Sequence, residues 1–201
     1  MNTLWINACV RAQSRTKQLA DCLLRKLGAA AEELRLEDAD LPRVDASFLE
    51  KRDALIAACR FDDPLFALAR QFAQAEQIVI AAPYWDLSFP AALKQYFEQI
   101  NVPGVTFVYT PEGIPRSLCR AKRLFYVTTA GGAFVPPDFG FGYVRALAQS
   151  FYGIEDVRLV QASGLDVVGA NADRLLQEAV QEISRMPEEA PQRLAINQRD
   201  G

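Results

Sequence analysis

The chain contains no histidine, and that absence excludes Ser-His-Asp triads, Cys-His dyads and histidine metal ligands together. Its four cysteines, Cys9, Cys22, Cys59 and Cys119, form no C-x-x-C pair. Neither a zinc site nor a thioredoxin-type redox motif is therefore expected, and the thiols read as reduced. No apolar run approaches the roughly 20 residues of a membrane span. Met1 is followed almost at once by a core-like strand, which leaves no room for a signal peptide. Basic residues number 22 against 25 acidic, a net charge of −3, with no lysine or arginine run. Such a surface suits neither nucleic acid nor an anionic membrane, and a cytoplasmic location is expected. At 201 residues, half of them apolar, the chain can build one well-packed domain but not two comfortable ones.

What is present is an alternation. Short β-type apolar runs at residues 4–8, 32–36, 78–82, 124–129 and 157–162 are separated by helical patterns near 15–27, 65–75, 90–100, 141–151 and 172–185. The third and fourth runs lack clean period-two alternation, as strands covered on both faces do. The expected fold class is α/β, a doubly wound five-stranded parallel sheet with helices on both faces. Residues 37–63 and 101–118 break the pattern and are expected as insertions over the sheet's rim, the second carrying an extra short strand at 105–109. The domain should span 1–186, leaving 187–201 as a tail with the composition of a surface strap, a frayed end or a dimer arm.

In such a sheet, ligands bind at the carboxyl ends of the strands, so the loops there carry the functional signal. The first lies within LWINACVRAQSRT (residues 4–16), an apolar run that stops at hydroxyls and arginines and then becomes a helix. A strand ending at a helix start leaves several backbone N–H groups unpaired and converging, and an anion satisfies them. Ser14 and Thr16 can add hydroxyls, and Arg11 and Arg15 can add charge in a planar fork. The loop has no glycine, which excludes both the G-x-G-x-x-G fingerprint and a Walker A loop. The competing reading is that Ser14 simply caps a surface helix.

The second loop, Pro83-Tyr-Trp-Asp-Leu-Ser-Phe-Pro, sets Tyr84 beside Trp85. Two large aromatics at a strand end suit a flat heteroaromatic ligand, unless they fold down as core. The third, Thr128-Thr-Ala-Gly-Gly-Ala-Phe, exposes backbone amides at a glycine pair. These can bond the carbonyls of a ring edge, although any sharp turn uses the same residues.

Together the loops outline a phosphate grip, an aromatic slab and an amide-lined edge. Ser14-Arg-Thr, Ala82-Pro-Tyr-Trp-Asp-Leu-Ser-Phe-Pro-Ala-Ala-Leu-Lys with Tyr96-Phe-Glu, Gly104-Val-Thr-Phe-Val-Tyr, Thr128-Thr-Ala-Gly-Gly and Phe151-Tyr-Gly-Ile occur in that order. In these motifs, across residues 4–154, the chain resembles the flavodoxin-like NAD(P)H-dependent FMN reductases, in the branch of azoreductases and NAD(P)H:quinone oxidoreductases. The resemblance implies FMN as cofactor and NADH or NADPH as reductant. It assigns Ser14, Arg15 and Thr16 to the FMN phosphate; Pro83, Tyr84, Trp85, Asp86 and Leu87 to the border of the isoalloxazine; and Thr129, Ala130, Gly131 and Gly132 to its pyrimidine side. It also implies a homodimer with the site at the subunit boundary, ping-pong transfer to a quinone, azo or related aromatic acceptor, and no side-chain acid or base. Where the azoreductase branch has asparagine after the tyrosine, this chain has Trp85 followed by Asp86, which narrows the cleft. Phe107, Tyr109, Phe134, Phe141 and Tyr143 are further candidate cleft walls.

Two other readings share the opening loop. Cys9-Val-Arg-Ala-Gln-Ser-Arg-Thr fits the Cys-x5-Arg-Ser/Thr signature of low-molecular-weight tyrosine phosphatases. Cys9 would then be the nucleophile, Arg15 would bind the phosphoryl group, and Pro137-Asp138-Phe139 would be a candidate acid loop. A flavodoxin-like electron carrier without a substrate site would share the fold, but such proteins are far more acidic.

Overall fold

The computed structural model describes residues 2–28 and 30–187. In chain order the elements are β1 (Thr3–Asn7), α1 (Arg15–Leu27), β2 (Ala31–Arg35), α2 (Ala46–Ala57), a 3-10 turn (Pro64–Phe66) leading into α3 (Ala67–Gln74), β3 (Gln77–Ala81), α4 (Ala91–Ile100), β4 (Phe107–Tyr109), β5 (Pro115–Ser117), β6 (Arg123–Thr129), α5 (Phe141–Ser150), β7 (Asp156–Ala162) and α6 (Ala172–Arg185). Five strands form one sheet in the order β2-β1-β3-β6-β7, every pair parallel. The strands β4 and β5 form a separate antiparallel hairpin. The α/β class and the five-stranded parallel sheet expected from the alternation are what the fold contains.

Side-chain alternation along the central strands explains why their sequences look uniformly apolar. Leu4, Ile6, Ile78, Ile80, Leu124 and Tyr126 point to one face, where they meet Phe72 of α3, Leu93 and Phe97 of α4, and Val144 of α5. Trp5, Val79, Ala81, Phe125 and Val127 point to the other, against Leu19 and Leu23 of α1 and Ile183 of α6. A fully buried large apolar side chain contributes about 1.5–3 kcal/mol, while an exposed ion pair contributes about 0–1 kcal/mol. The two cores therefore set the frame, and the loops at its carboxyl edge are carried on a rigid support.

Both rim insertions hold more structure than their composition predicts. The first contains α2, capped by the Asp45 carboxylate accepting from Phe48 N–H at 3.0 Å, with Leu55 buried in the first core. In the second, the expected strand at 105–109 shortens to Phe107–Tyr109 and pairs with Pro115–Ser117. Thr106 instead turns inward, its hydroxyl donating to the Ile100 carbonyl at 2.7 Å. The tail from residue 188 onward lies outside the described residues, so the strap, frayed end and dimer-arm readings are left there.

The path of the chain locates the crevice. After β1 the chain enters α1 on the second face and returns to β2, whereas after β3 it enters α4 on the first face and goes on to β6. The two connections diverge at the carboxyl ends of β1 and β3, which opens a cleft there.

Candidate functional site

A cleft of about 380 Å³ opens at that point, lined by the loops after β1, β3, β6 and β7. Of the residues proposed from sequence, Ser14, Arg15, Thr16, Pro83, Tyr84, Trp85, Thr129, Ala130 and Gly131 line it. Asp86 and Leu87 do not; they border a shallower groove shared with Phe139 and Tyr143. Gly132 is exposed just beyond the cleft. Val10, Arg11, Gln13, Leu165 and Asp166 complete the lining. Among these, Leu165 and Asp166 carry no signal in any of the three loops read from sequence.

The first loop is shaped by Asn7, which is buried at the end of β1. Its carboxamide oxygen accepts from Cys9 N–H at 3.0 Å, and its Nδ2 donates to Glu33 Oε1 at 2.7 Å. The chain then turns, Ser14 N–H donating to the Arg11 carbonyl at 3.1 Å, and α1 starts. Ser14 Oγ accepts from Lys17 N–H at 3.2 Å, so the capping role proposed as a rival is realised, and realised inside the cleft. The amides of Arg15 and Thr16 have no intramolecular acceptor among the described residues. They point outward at the positive end of the α1 dipole.

The side chains of the first turn are less free than the sequence implies. Thr16 Oγ1 lies 2.6 Å from Thr129 Oγ1 in a buried contact, which ties the anion loop to the end of β6. The Arg15 guanidinium donates to the Asp166 carboxylate at 2.7 Å, with the two side chains 41% and 67% exposed. Arg11 is exposed, lines the cleft and has no ion-pair partner among the described residues. Lys17 pairs with Asp21 at 3.2 Å and is not part of the lining.

At the other end, Trp85 is 38% exposed. It belongs to a two-residue hairpin in which Trp85 N–H and Ser88 N–H donate to each other's carbonyls at 3.2 and 2.7 Å. The central residues, Asp86 and Leu87, have φ of +48° and +67°. Such a turn ordinarily takes Asn-Gly, so a leucine there is strained. The loop after β6 is fixed by that after β7: Leu165 N–H donates to the Ala130 carbonyl at 3.2 Å and Asp166 N–H to the Gly131 carbonyl at 2.9 Å. A side chain on Gly131 would collide with the Asp166 carboxylate, whereas Gly132 has open space around it. A side chain at the first glycine would therefore push aside the Asp166 carboxylate and its pair with Arg15, whereas one at the second would meet nothing. Both amides are left without an intramolecular acceptor among the described residues.

None of the five aromatic cleft-wall candidates lines the cleft. Phe107 is core, its ring centroid 4.8 Å from that of Phe151 at 90°, and Tyr109 is exposed on the hairpin. Phe134 is 79% exposed, Tyr143 borders the shallow groove, and Phe141 lines a separate cavity.

Cys9 is not built as a nucleophile. It is buried, its thiol directed at the Ala81 carbonyl at 3.7 Å. Burial pushes the thiol up, with Ser14 and Lys17 offsetting only part of the effect. A phosphatase nucleophile needs the opposite shift and an accessible thiol, so Cys9 packs at the strand end instead. Among the described residues there is no cluster of candidate metal ligands, and no helix is long and apolar enough to cross a membrane.

A parallel sheet in this strand order, with an anion-ready helix start facing an aromatic across a carboxyl-edge cleft, defines a flavodoxin-like protein. The chain belongs to that family: the family model described as flavodoxin-like fold matches residues 1–186. A protein from Coprothermobacter proteolyticus named FMN-dependent NADH:quinone oxidoreductase is 32% identical over 183 residues, covering 87% of this chain and 90% of the relative. One of the same name from Clostridium beijerinckii is 34% identical over 181 residues, with the same coverage of 87% and 90%. Among solved structures, an azoreductase from Bacillus anthracis superposes with a TM-score of 0.80 at 22% identity, over 91% of this chain and 96% of that one. An FMN-dependent NADH-azoreductase from the same species, in complex with FMN, gives 0.76 at 23% identity, over 91% and 95%. At these identities the two structures establish the shared fold.

Proposed function

We propose that the protein is an FMN-dependent oxidoreductase that takes reducing equivalents from NADH and passes them, in a ping-pong cycle, to a quinone or related aromatic acceptor. The observation that carries this is the pairing within one cleft of a dianion site and a ring site. Around that cleft lie the free amides of Arg15 and Thr16 with Arg11, the Trp85 side chain, and the free amide of Gly131, with that of Gly132 just beyond it. FMN has that polarity, a phosphate on one end and a flat ring with hydrogen-bonding edges on the other. The donor set fits the group: amides and guanidinium toward the phosphate, an aromatic face toward the ring, and the Gly131 backbone left bare where a side chain would collide.

In this reading Ser14 keeps the helix start in shape, Arg11 and Arg15 neutralise the phosphate, and Thr16 offers its amide while its hydroxyl ties the first loop to the end of β6. Pro83, Tyr84 and Trp85 form the ring's border, with Asp86 and Leu87 acting through the turn that presents Trp85. Ala130 and the amides of Gly131 and Gly132 meet the pyrimidine side. When bound, FMN supplies two-electron transfer between donor and acceptor. The chain's own task is orientation and exclusion of water, so its lack of histidine is no obstacle. The names of the curated relatives support NADH and a quinone. The domain is taken as residues 1–186. The four free thiols suit a reducing cytoplasm. A homodimer with the site at the subunit boundary completes this reading.

Steady-state assay of the FMN-loaded protein tests this reading. NADH should be oxidised only when a quinone such as menadione is present under anaerobic conditions, with parallel double-reciprocal lines. Loaded protein that leaves NADH untouched across a panel of quinone, azo and nitroaromatic acceptors would overturn it.

A further inference from the structure

A second cavity, of about 300 Å³, lies behind the cleft, between the sheet and the loop at 133–141. Its origin is in the register. Tyr126 pairs with Leu159 and Thr128 with Gln161 across β6 and β7, and residues paired in register share a face. These four side chains therefore project together on the first face. The helix α5 that covers this face begins only at Phe141, which leaves the last turns of both strands roofed by the loop alone.

The lining divides into two halves. Val135, Pro136, Pro137, Phe141 and Leu159 are the apolar part, and Tyr84, Tyr126, Thr128 and Gln161 bring polar groups. The hydroxyls of Tyr84, Tyr126 and Thr128 are buried, and none has a hydrogen-bond partner among the described residues. Tyr126 and Thr128 are 1% and 2% exposed. A buried hydroxyl left unsatisfied costs about 1–3 kcal/mol, and native proteins rarely tolerate three around one cavity. Burial raises the Tyr126 phenol well above its ordinary range, the nearby Thr128 hydroxyl opposing that shift and Tyr84 adding to it, so it remains a donor at neutral pH; Tyr126 and Thr128 are close neighbours, but their contact falls short of hydrogen-bond geometry. No lining residue is charged, so a charged guest would find no counter-ion.

We propose that this cavity is a binding site for a neutral, ring-sized molecule carrying a carbonyl oxygen, received by the hydroxyls of Tyr84, Tyr126 and Thr128. Tyr84 also lines the main cleft, so the guest sits next to that cleft, separated from it by one side chain. The site does not depend on the flavin reading, although a quinone-type acceptor satisfies the same chemistry.

The test uses acetophenone, neutral and aromatic with one carbonyl, titrated by calorimetry into the FMN-loaded protein so that the main cleft is filled. Saturable one-to-one binding is expected. Tyr126→Phe combined with Thr128→Val should weaken it by roughly four- to 150-fold, since each lost hydrogen bond of about 0.5–1.5 kcal/mol corresponds to roughly a two- to twelvefold change. The same double variant, tested without acetophenone, should melt no lower than the parent, because it removes both neighbouring hydroxyls together and leaves neither without a partner. Three results would each overturn the proposal: no binding to the parent protein, binding unchanged in the double variant, or binding lost when FMN fills the cleft. A protein that fails to take up FMN but binds acetophenone through Tyr126 and Thr128 would refute the flavin reading while upholding this site.

Discussion

Replacing Thr16 by valine separates structural from ligand-binding roles in the first loop. The Thr16 hydroxyl lies 2.6 Å from that of Thr129, and both residues are buried, at 1% and 9% exposure. Valine keeps the shape of the side chain but leaves the Thr129 hydroxyl without its partner. An unsatisfied buried hydroxyl costs about 1–3 kcal/mol. A domain of about 150–250 residues loses roughly 2–4 °C in Tm per kcal/mol, so Thr16→Val should lower Tm by about 2–12 °C. Removing both hydroxyls, in Thr16→Val with Thr129→Val, should recover much of that loss, because two apolar groups of matching shape leave nothing unsatisfied. The assay is a urea and thermal melt of the apoprotein in a double-mutant cycle, with a coupling of at least about 1 kcal/mol expected. FMN affinity should change little, since Thr16 contributes its amide rather than its hydroxyl. A Tm unchanged within error, with FMN affinity down tenfold or more, would refute this reasoning and make the hydroxyl a phosphate ligand.

Three further outcomes follow from the geometry. Asp166→Asn frees Arg15 from a pair that, being largely exposed, contributes about 0.2–1 kcal/mol; the apoprotein should bind FMN up to about fivefold tighter at low salt, and weaker binding would mean that Asp166 holds Arg15 in place. Leu87→Gly should raise Tm slightly, because relief of about 1–2 kcal/mol of left-handed strain exceeds the roughly 0.5–1 kcal/mol entropic cost of glycine; a fall would mean that the leucine side chain contributes packing. Burial pushes the Cys119 thiol from 9.0 up to about 12, so the fold keeps a proton that the unfolded chain loses across that interval. Stability should therefore be insensitive to this group below pH 9 and decline between about pH 9 and 12; Cys119→Ser should flatten that decline in urea midpoints, and an unchanged slope would show that other groups dominate.

The parts of the fold that were legible are those whose residues are buried on two sides. Ile78 to Ala81 and Leu124 to Val127 announce themselves because both faces of the sheet are covered. By contrast, β5 is Pro115-Arg-Ser, with no apolar alternation; it is a strand only because Phe107–Tyr109 lies beside it. The Trp85–Ser88 hairpin was illegible for a related reason, since Asp-Leu carries none of the glycine or asparagine that marks a two-residue turn. At the site, Ser14 is the helix cap that the competing reading expects, and it also lies in the cleft. Asp166 was missed because its partner Arg15 lies 151 residues away. The one available signal was topological: the loop after the fifth strand also emerges at the carboxyl edge. The aromatic wall candidates failed because exposure and packing, which decide whether a ring faces a cleft, are not encoded in residue type.

The central claim is that the free amides and arginines after β1 hold the phosphate of FMN. Comparing the apoprotein's affinity for FMN with that for riboflavin, which lacks the phosphate, tests it most directly. Charge-assisted hydrogen bonds of about 1.5–3 kcal/mol predict that FMN binds roughly ten- to a hundredfold tighter. That advantage should shrink sharply when Arg11 and Arg15 are both replaced by alanine. Equal affinities for FMN and riboflavin in the parent protein, or an advantage that survives the loss of both arginines intact, would contradict the account.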